Sequence, residues 1–144
     1  FQAAEPLVAK MVRLLRRCRP KLVFVPFIAD PHPDHFKANL ILGKALKRSG
    51  LLLPQMQILQ YETWSIVPAT VYSEINSTLH LKEEALMTYA TAMKVRDYVD
   101  HCLQMNAYHH LMLSGGKGFA ESFLAMSGDR YVETASEGFE PANN

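Results

Sequence analysis

Cysteine is nearly absent from this chain: Cys18 and Cys102 are the only two in 144 residues, and no CxxC spacing occurs. That pattern offers neither a disulfide framework nor a thiolate zinc cluster, and it fits a reducing compartment, so a cytoplasmic location is expected. Charge of one sign is lacking as well. The formal net charge is +1, which leaves no electrostatic footprint able to track a phosphate backbone, and nucleic acid is not an expected partner. Long hydrophobic runs are missing: the longest, about Leu22 to Ala29, falls far short of the roughly 20 residues a helix needs to cross a bilayer, so no membrane span is expected. Internal repeats and low-complexity tracts are absent too. What remains is a chain with 49% hydrophobic and 20% charged residues, the ordinary balance of a globular domain with one core. It opens at Phe1 and enters a helical pattern almost at once, and further sequence upstream is expected.

Leu7, Val8, Met11, Leu14, Leu15 and Cys18 recur at helical spacing after Pro6, with Arg13, Arg16 and Arg17 largely on another face. The basic run from Arg13 to Arg19 reads as the solvated end of an amphipathic helix. Pro20 closes that helix. Lys21 to Ile28 is a nearly continuous run of Val, Phe and Ile, as in a strand covered on both faces, and Pro26 marks its end or a bulge. Phe36 to Ser49 is again helical, with Gly50 as its stop, and Met56 to Tyr61 is a second strand. Strand, helix and strand make a βαβ unit with parallel strands, so the fold class is α/β. Beyond it the pattern predicts a short strand at Val71 to Ile75. A helix then runs from a cap at Thr78 through Lys82, Leu86, Tyr89 and Met93, and another spans about Val95 to Leu111. The stretch after Gly128 is polar and poorly patterned, and is expected to be partly loose.

The loop after the first strand carries the chemistry. Pro31 and Pro33 hold Asp30 and His32 in extended geometry, and Pro33 suits the first helical position with Asp34 in the first turn. His32 and His35 then lie about one turn apart at the carboxyl end of a strand, where ligands bind in α/β sheets. One imidazole can ligate a metal while the other acts on a substrate, and Asp34 can orient an imidazole by accepting its second N–H. The blander reading is a helix cap with exposed rings, and the position after a buried strand weighs against it. A metal site needs three or four ligands, and this segment supplies one or two. His80, His101, His109 and His110 lie on or beside predicted helices without an acidic partner at ligand spacing, and read as surface or core residues. The loop Ser114 to Gly118 with Lys117 lacks the GxxxxGK[ST] spacing and follows a helix, which excludes a nucleotide cradle.

These residues, in this order, resemble the PIG-L/LmbE superfamily, which includes N-acetylglucosaminyl-phosphatidylinositol deacetylases and the deacetylases of mycothiol and bacillithiol synthesis. The strand followed by His32-Pro33-Asp34-His35 is similar to the family's second motif. Tyr61-Glu62-Thr63-Trp64 resembles its next strand end, Lys82-Glu83-Glu84-Ala85-Leu86 with Tyr89 the helix after it, and Ala120-Glu121-Ser122-Phe123 its closing element. The resemblance implies a Rossmann-like parallel sheet with flanking helices and one zinc. It makes His35 the metal ligand, His32 the group that polarises the amide carbonyl or stabilises the oxyanion, and Asp34 the residue that holds His32; Asp30 and Trp64 fall to substrate binding. Some members carry at the position of Asp30 a tyrosine that aids oxyanion stabilisation, a role that an ionised aspartate cannot take.

The implied activity is zinc-dependent hydrolysis of the N-acetyl group of an N-acetylglucosamine-type substrate, releasing amine and acetate. The family's His-Pro-Asp-Asp motif, which brings two zinc ligands and the general base, appears nowhere in these 144 residues. The chain is therefore expected to be the C-terminal part of one such domain, with the N-terminal part as its partner and a homo-oligomer left open. The competing expectation is a non-catalytic binding or regulatory remnant of the same fold.

Overall fold

The computed structural model describes residues 4–95 and 97–136. Its elements follow the predicted order at first. Helix α1 (Glu5–Cys18) has Glu5 in its first turn and Arg16 and Arg17 in its last, each charge complementing the helix dipole. It closes at Arg19, in the left-handed region at φ 44°, whose N–H donates to Leu15 O at 2.8 Å. The Arg16 guanidinium donates to Ser49 O and Arg48 O, both at 3.0 Å. This part of the basic run thus satisfies carbonyls at the end of the next helix. Strand β1 (Leu22–Pro26) ends at the proline, as expected. Helix α2 (Pro33–Ser49) starts at Pro33 and stops at Gly50, φ 72°. Strand β2 (Gln57–Tyr61) pairs with β1 in parallel, Leu22 opposite Gln57 and Pro26 opposite Tyr61.

The later elements are β3 (Val71–Glu74), α3 (Leu79–Met87), α4 (Ala90–Met93), α5 (Tyr98–Ser114), β4 (Ala120–Ser127) and α6 (Gly128–Ser136). Among the described residues the fold is α/β, a four-stranded sheet in the order β1-β2-β4-β3 flanked by helices. The sheet is mixed. β1 and β2 are parallel, whereas β4 runs antiparallel to β2, Gln57 opposite Ser127 and Tyr61 opposite Phe123. The parallel pattern expected throughout holds within the βαβ unit, where a helix crossover imposes it, and not at β4, which no such crossover joins to β2.

The chain divides into two compact units. One contains the described residues up to 68 and from 123 onward; the other spans 69–122. The first is built on Val8 and Leu15 of α1, Val25 of β1, Leu42, Ala45 and Leu46 of α2, Ile58 of β2 and Tyr131 of α6, all buried. Polar patterning gave no sign of α6, yet Tyr131 is wholly inside and its hydroxyl donates to Asn39 Oδ1 at 2.6 Å. Residues 137–144, the rest of the stretch expected to be loose, lie outside the described residues. α2 and α6 approach so closely at Gly43 that a Cβ there would sit 2.8 Å from Ala135 Cβ.

In the second unit the helix expected over Thr78 to Met93 is broken. The Thr88 hydroxyl donates to Ala85 O at 2.7 Å, the local competition that ends helices at such residues, and α4 follows as a separate short turn. Thr78 precedes α3 but gives it no side-chain cap. Asp97 caps α5, accepting from the Asp100 N–H. His109 and His110 are buried, His109 Nε2 lying 3.1 Å from Ser122 Oγ, while His80 and His101 are exposed, in line with the surface and core roles expected of them. Among the described residues, no helix is long and apolar enough to cross a membrane.

Candidate functional site

The loop between β1 and α2 is braced from inside by three buried polar side chains. Gln60, wholly buried on β2, accepts the Ile28 N–H at 2.8 Å. Asn39, buried nearly two turns into α2, donates to His35 O at 2.8 Å and to Pro26 O at 3.1 Å, and so ties the helix start to the strand end. Asp30 is the third. Its side chain has no exposure, and it collects four donors: His32 N–H (2.9 Å) and His35 Nδ1 (2.9 Å) on Oδ1, and Thr63 Oγ1 (2.9 Å) and Trp64 N–H (2.8 Å) on Oδ2. Burial pushes the Asp30 pKa up, but the hydrogen bonds from the His32 and Trp64 N–H groups and from the His35 and Thr63 side chains outweigh it and hold the carboxyl at about 2. Asp30 is thus an ionised acceptor behind the site. Assigned to substrate binding on sequence, it is enclosed by protein donors and positions the groups around it.

The two imidazoles are held in opposite tautomers. A carboxylate can only accept, so the hydrogen between Asp30 and His35 belongs to His35 Nδ1, and the neutral ring turns out a bare Nε2 lone pair. A backbone N–H can only donate. His32 Nδ1 accepts the Asp34 N–H at 3.2 Å as the cap of α2, and the neutral His32 ring carries its hydrogen on Nε2. The rings lie 4.6 Å apart between centroids at 36°. One offers a lone pair and the other an N–H donor, both in front of a buried anion.

Asp34 was expected to hold His32 by accepting a ring N–H through its carboxylate; instead its main-chain N–H donates to the His32 ring. Its carboxylate is exposed and pairs with Lys37 at 3.3 Å, because the first-turn position that lets its N–H reach the ring turns its side chain outward. Trp64, expected in substrate binding, is 64% exposed, and its ring lies 5.3 Å from the His32 ring. Thr63 was missed. Its hydroxyl lies 2.9 Å from Asp30 Oδ2 and 3.2 Å from His35 Nδ1, bridging the strand end of β2 to the histidine loop. The only sequence signal was its place beside Trp64 at a parallel strand's carboxyl end. Glu62, next to it, accepts the Val67 N–H at 3.1 Å and shapes the loop that carries the indole.

A zinc ion needs a deprotonated imidazole nitrogen whose other nitrogen is fixed by an acceptor, and His35 with Asp30 meets that requirement. Among the described residues no cluster of three or more His, Cys, Asp or Glu could hold a metal. The residues present therefore fit one ligand of such a site and its supporting shell.

No family model matches the chain. A search of solved structures finds the crystal structure of the conserved protein TT1542 from Thermus thermophilus, similar over 81% of this chain at 25% identity with a TM-score of 0.66. The chain spans 56% of the length of that protein.

Proposed function

We propose that this chain carries the histidine half of a zinc-dependent N-deacetylase acting on an N-acetylglucosamine-type substrate. The remaining ligands and the general base come from an N-terminal part of the same polypeptide. The observation that carries the reading is the split in tautomers: His35 presents a lone pair backed by a carboxylate, and His32 beside it presents an N–H. A metal amide hydrolase needs that pair, a ligand and an oxyanion donor side by side.

In this reading His35 Nε2 is the ligand, and Asp30 with Thr63 fixes its ring. Zinc, when bound, supplies Lewis-acid polarisation and a water of lowered pKa. His32 Nε2–H points to the acetyl carbonyl oxygen and strengthens its bond as negative charge gathers there, a contribution of roughly 3 kcal/mol for one such donor. The exposed face of Trp64 receives the apolar face of the sugar ring. Water adds to the acetyl carbon, the C–N bond breaks, and acetate and the protonated amine leave.

The test is acetate release from N-acetylglucosamine conjugates by the natural full-length polypeptide and its variants. His35→Ala is expected to abolish turnover together with zinc binding, and His32→Gln to lower kcat by about 100-fold or more with zinc retained. Rates indifferent to both substitutions overturn the reading, and a zinc-loaded protein with no turnover on any such conjugate favours a non-catalytic member of the fold.

A further inference from the structure

At the amino ends of β1 and β2, the opposite end of these strands from the histidine loop, lies a cavity of about 720 Å³. It opens between the turn from α1 to β1 and the turn from α2 to β2, and belongs wholly to the first unit. Three cations line it, Arg16, Arg19 and Lys21, and none of its lining residues is acidic. Two helices end here, and bare carbonyls at those ends would repel an anion. They are already answered: the Arg19 N–H closes α1 on Leu15 O, and the Arg16 guanidinium takes Ser49 O and Arg48 O at the end of α2. These two bonds hold the Arg16 fork in place and leave three of its five N–H groups to donate. The Arg19 and Lys21 side chains have no such engagement. Among the described residues neither enters an ion pair, whereas Lys37, Arg48 and Lys82 each meet a carboxylate. The Arg19 backbone, at φ 44°, has the left-handed form that favours glycine; the position carries a cation instead.

We infer that this cavity binds the phosphate group of a small organic molecule. Three converging cations exceed what one carboxylate needs and suit a doubly charged phosphate, which a guanidinium meets with paired N–H donors. The volume falls in the range of small-molecule pockets and is far larger than a bare phosphate requires. Leu51, Leu52 and Met56 on its wall supply an apolar surface for the rest of the ligand. The net charge of +1 conceals the cluster, because the balancing acids lie elsewhere in the chain. Every residue of the cavity comes from this chain, and the inference is independent of the reaction proposed for the histidine loop.

Calorimetric titration of the natural full-length polypeptide with inorganic pyrophosphate tests this. Saturable binding with a Kd below about 1 mM is expected. Arg19→Gly keeps the left-handed turn and removes only the cation, so unfolding does not account for its effect; affinity is expected to fall about 10-fold or more, and likewise in Lys21→Gln. Lys10→Gln removes a positive charge of α1 that lies outside the cavity and is expected to change affinity less than about twofold. Absence of binding, or an equal loss in Lys10→Gln, overturns the inference. His35→Ala is expected to leave binding intact; loss there places the anion at the histidine loop and overturns the inference too. Vesicles of phosphatidylcholine with phosphatidic acid then separate the sources of the phosphate, and either result upholds the site. Co-sedimentation that Arg19→Gly abolishes identifies a lipid headgroup, and pyrophosphate binding without co-sedimentation identifies a soluble compound.

Discussion

Asp30 shows what one buried carboxylate can organise. Left alone, its charge would be costly in the interior, and four donors make it the favoured form. Its pKa is depressed in the folded protein, so it contributes stability above the ordinary value of 3.8 and loses that contribution as pH falls toward about 2. The shift is worth about 2 kcal/mol. Urea denaturation in the presence of a chelator is expected to show a steeper loss of stability between pH 4 and pH 2, to the nearest unit, in wild type than in Asp30→Asn. The same substitution turns an acceptor of the His35 N–H into an amide that can face it with the wrong group. Zinc affinity measured against a chromophoric chelator is expected to fall by about 10- to 100-fold. Thr63→Val, which removes one donor and leaves the carboxylate, should cost less than Asp30→Asn in the same titration. His32 and His35 were readable in advance because their spacing and flanking prolines are local. Thr63 was not, since its role depends on a partner 33 residues away, and Asp30 was read as facing a substrate because sequence gives no sign of four donors converging on it.

At the scale of elements, the strength of α2 lies in how it is tied at both ends of the first unit. Tyr131 of α6 reaches Asn39, and Asn39 reaches the carbonyls of His35 and Pro26. Burial holds the Tyr131 hydroxyl well above its usual pKa, so it remains a donor to Asn39. Tyr131→Phe is expected to destabilise the protein by about 1–2 kcal/mol in chemical denaturation, with increased exchange at the first turn of α2 as the sign that the tie, not only the core, was loosened. Gly43 tests the packing of α2 on α6. Alanine should favour the helix by about 1 kcal/mol on propensity, but its Cβ would stand 2.8 Å from Ala135 Cβ. Gly43→Ala is expected to destabilise by about 1–3 kcal/mol, and adding Ala135→Gly should recover part of the loss in a double-mutant cycle. The βαβ unit was legible because its apolar run and its Pro-to-Gly helix frame are local signals. α6 was not: one buried tyrosine among polar residues gives no periodic stripe. The direction of β4 was equally hidden, being fixed by pairing across more than sixty residues of chain.

At the scale of the whole molecule, the first unit presents a site at one end of a parallel pair. The chemistry proposed for it requires groups from beyond these 144 residues, and the similarity to TT1542 over 56% of that protein's length is compatible with a larger assembly. Metal analysis of the natural full-length polypeptide is expected to find near one zinc per chain, falling with His35→Ala and unchanged with Trp64→Ala; loss of metal in both would mean that the indole supports the fold and not the substrate. Pro26 sets a boundary on any such assembly. It has no N–H to give, and its carbonyl is already taken by Asn39. A backbone laid along the outer edge of β1 would find no N–H at that residue and would have to share its carbonyl with Asn39. Just ahead of the imidazole loop, the rim of the sheet thus offers a neighbouring backbone no donor and only half an acceptor.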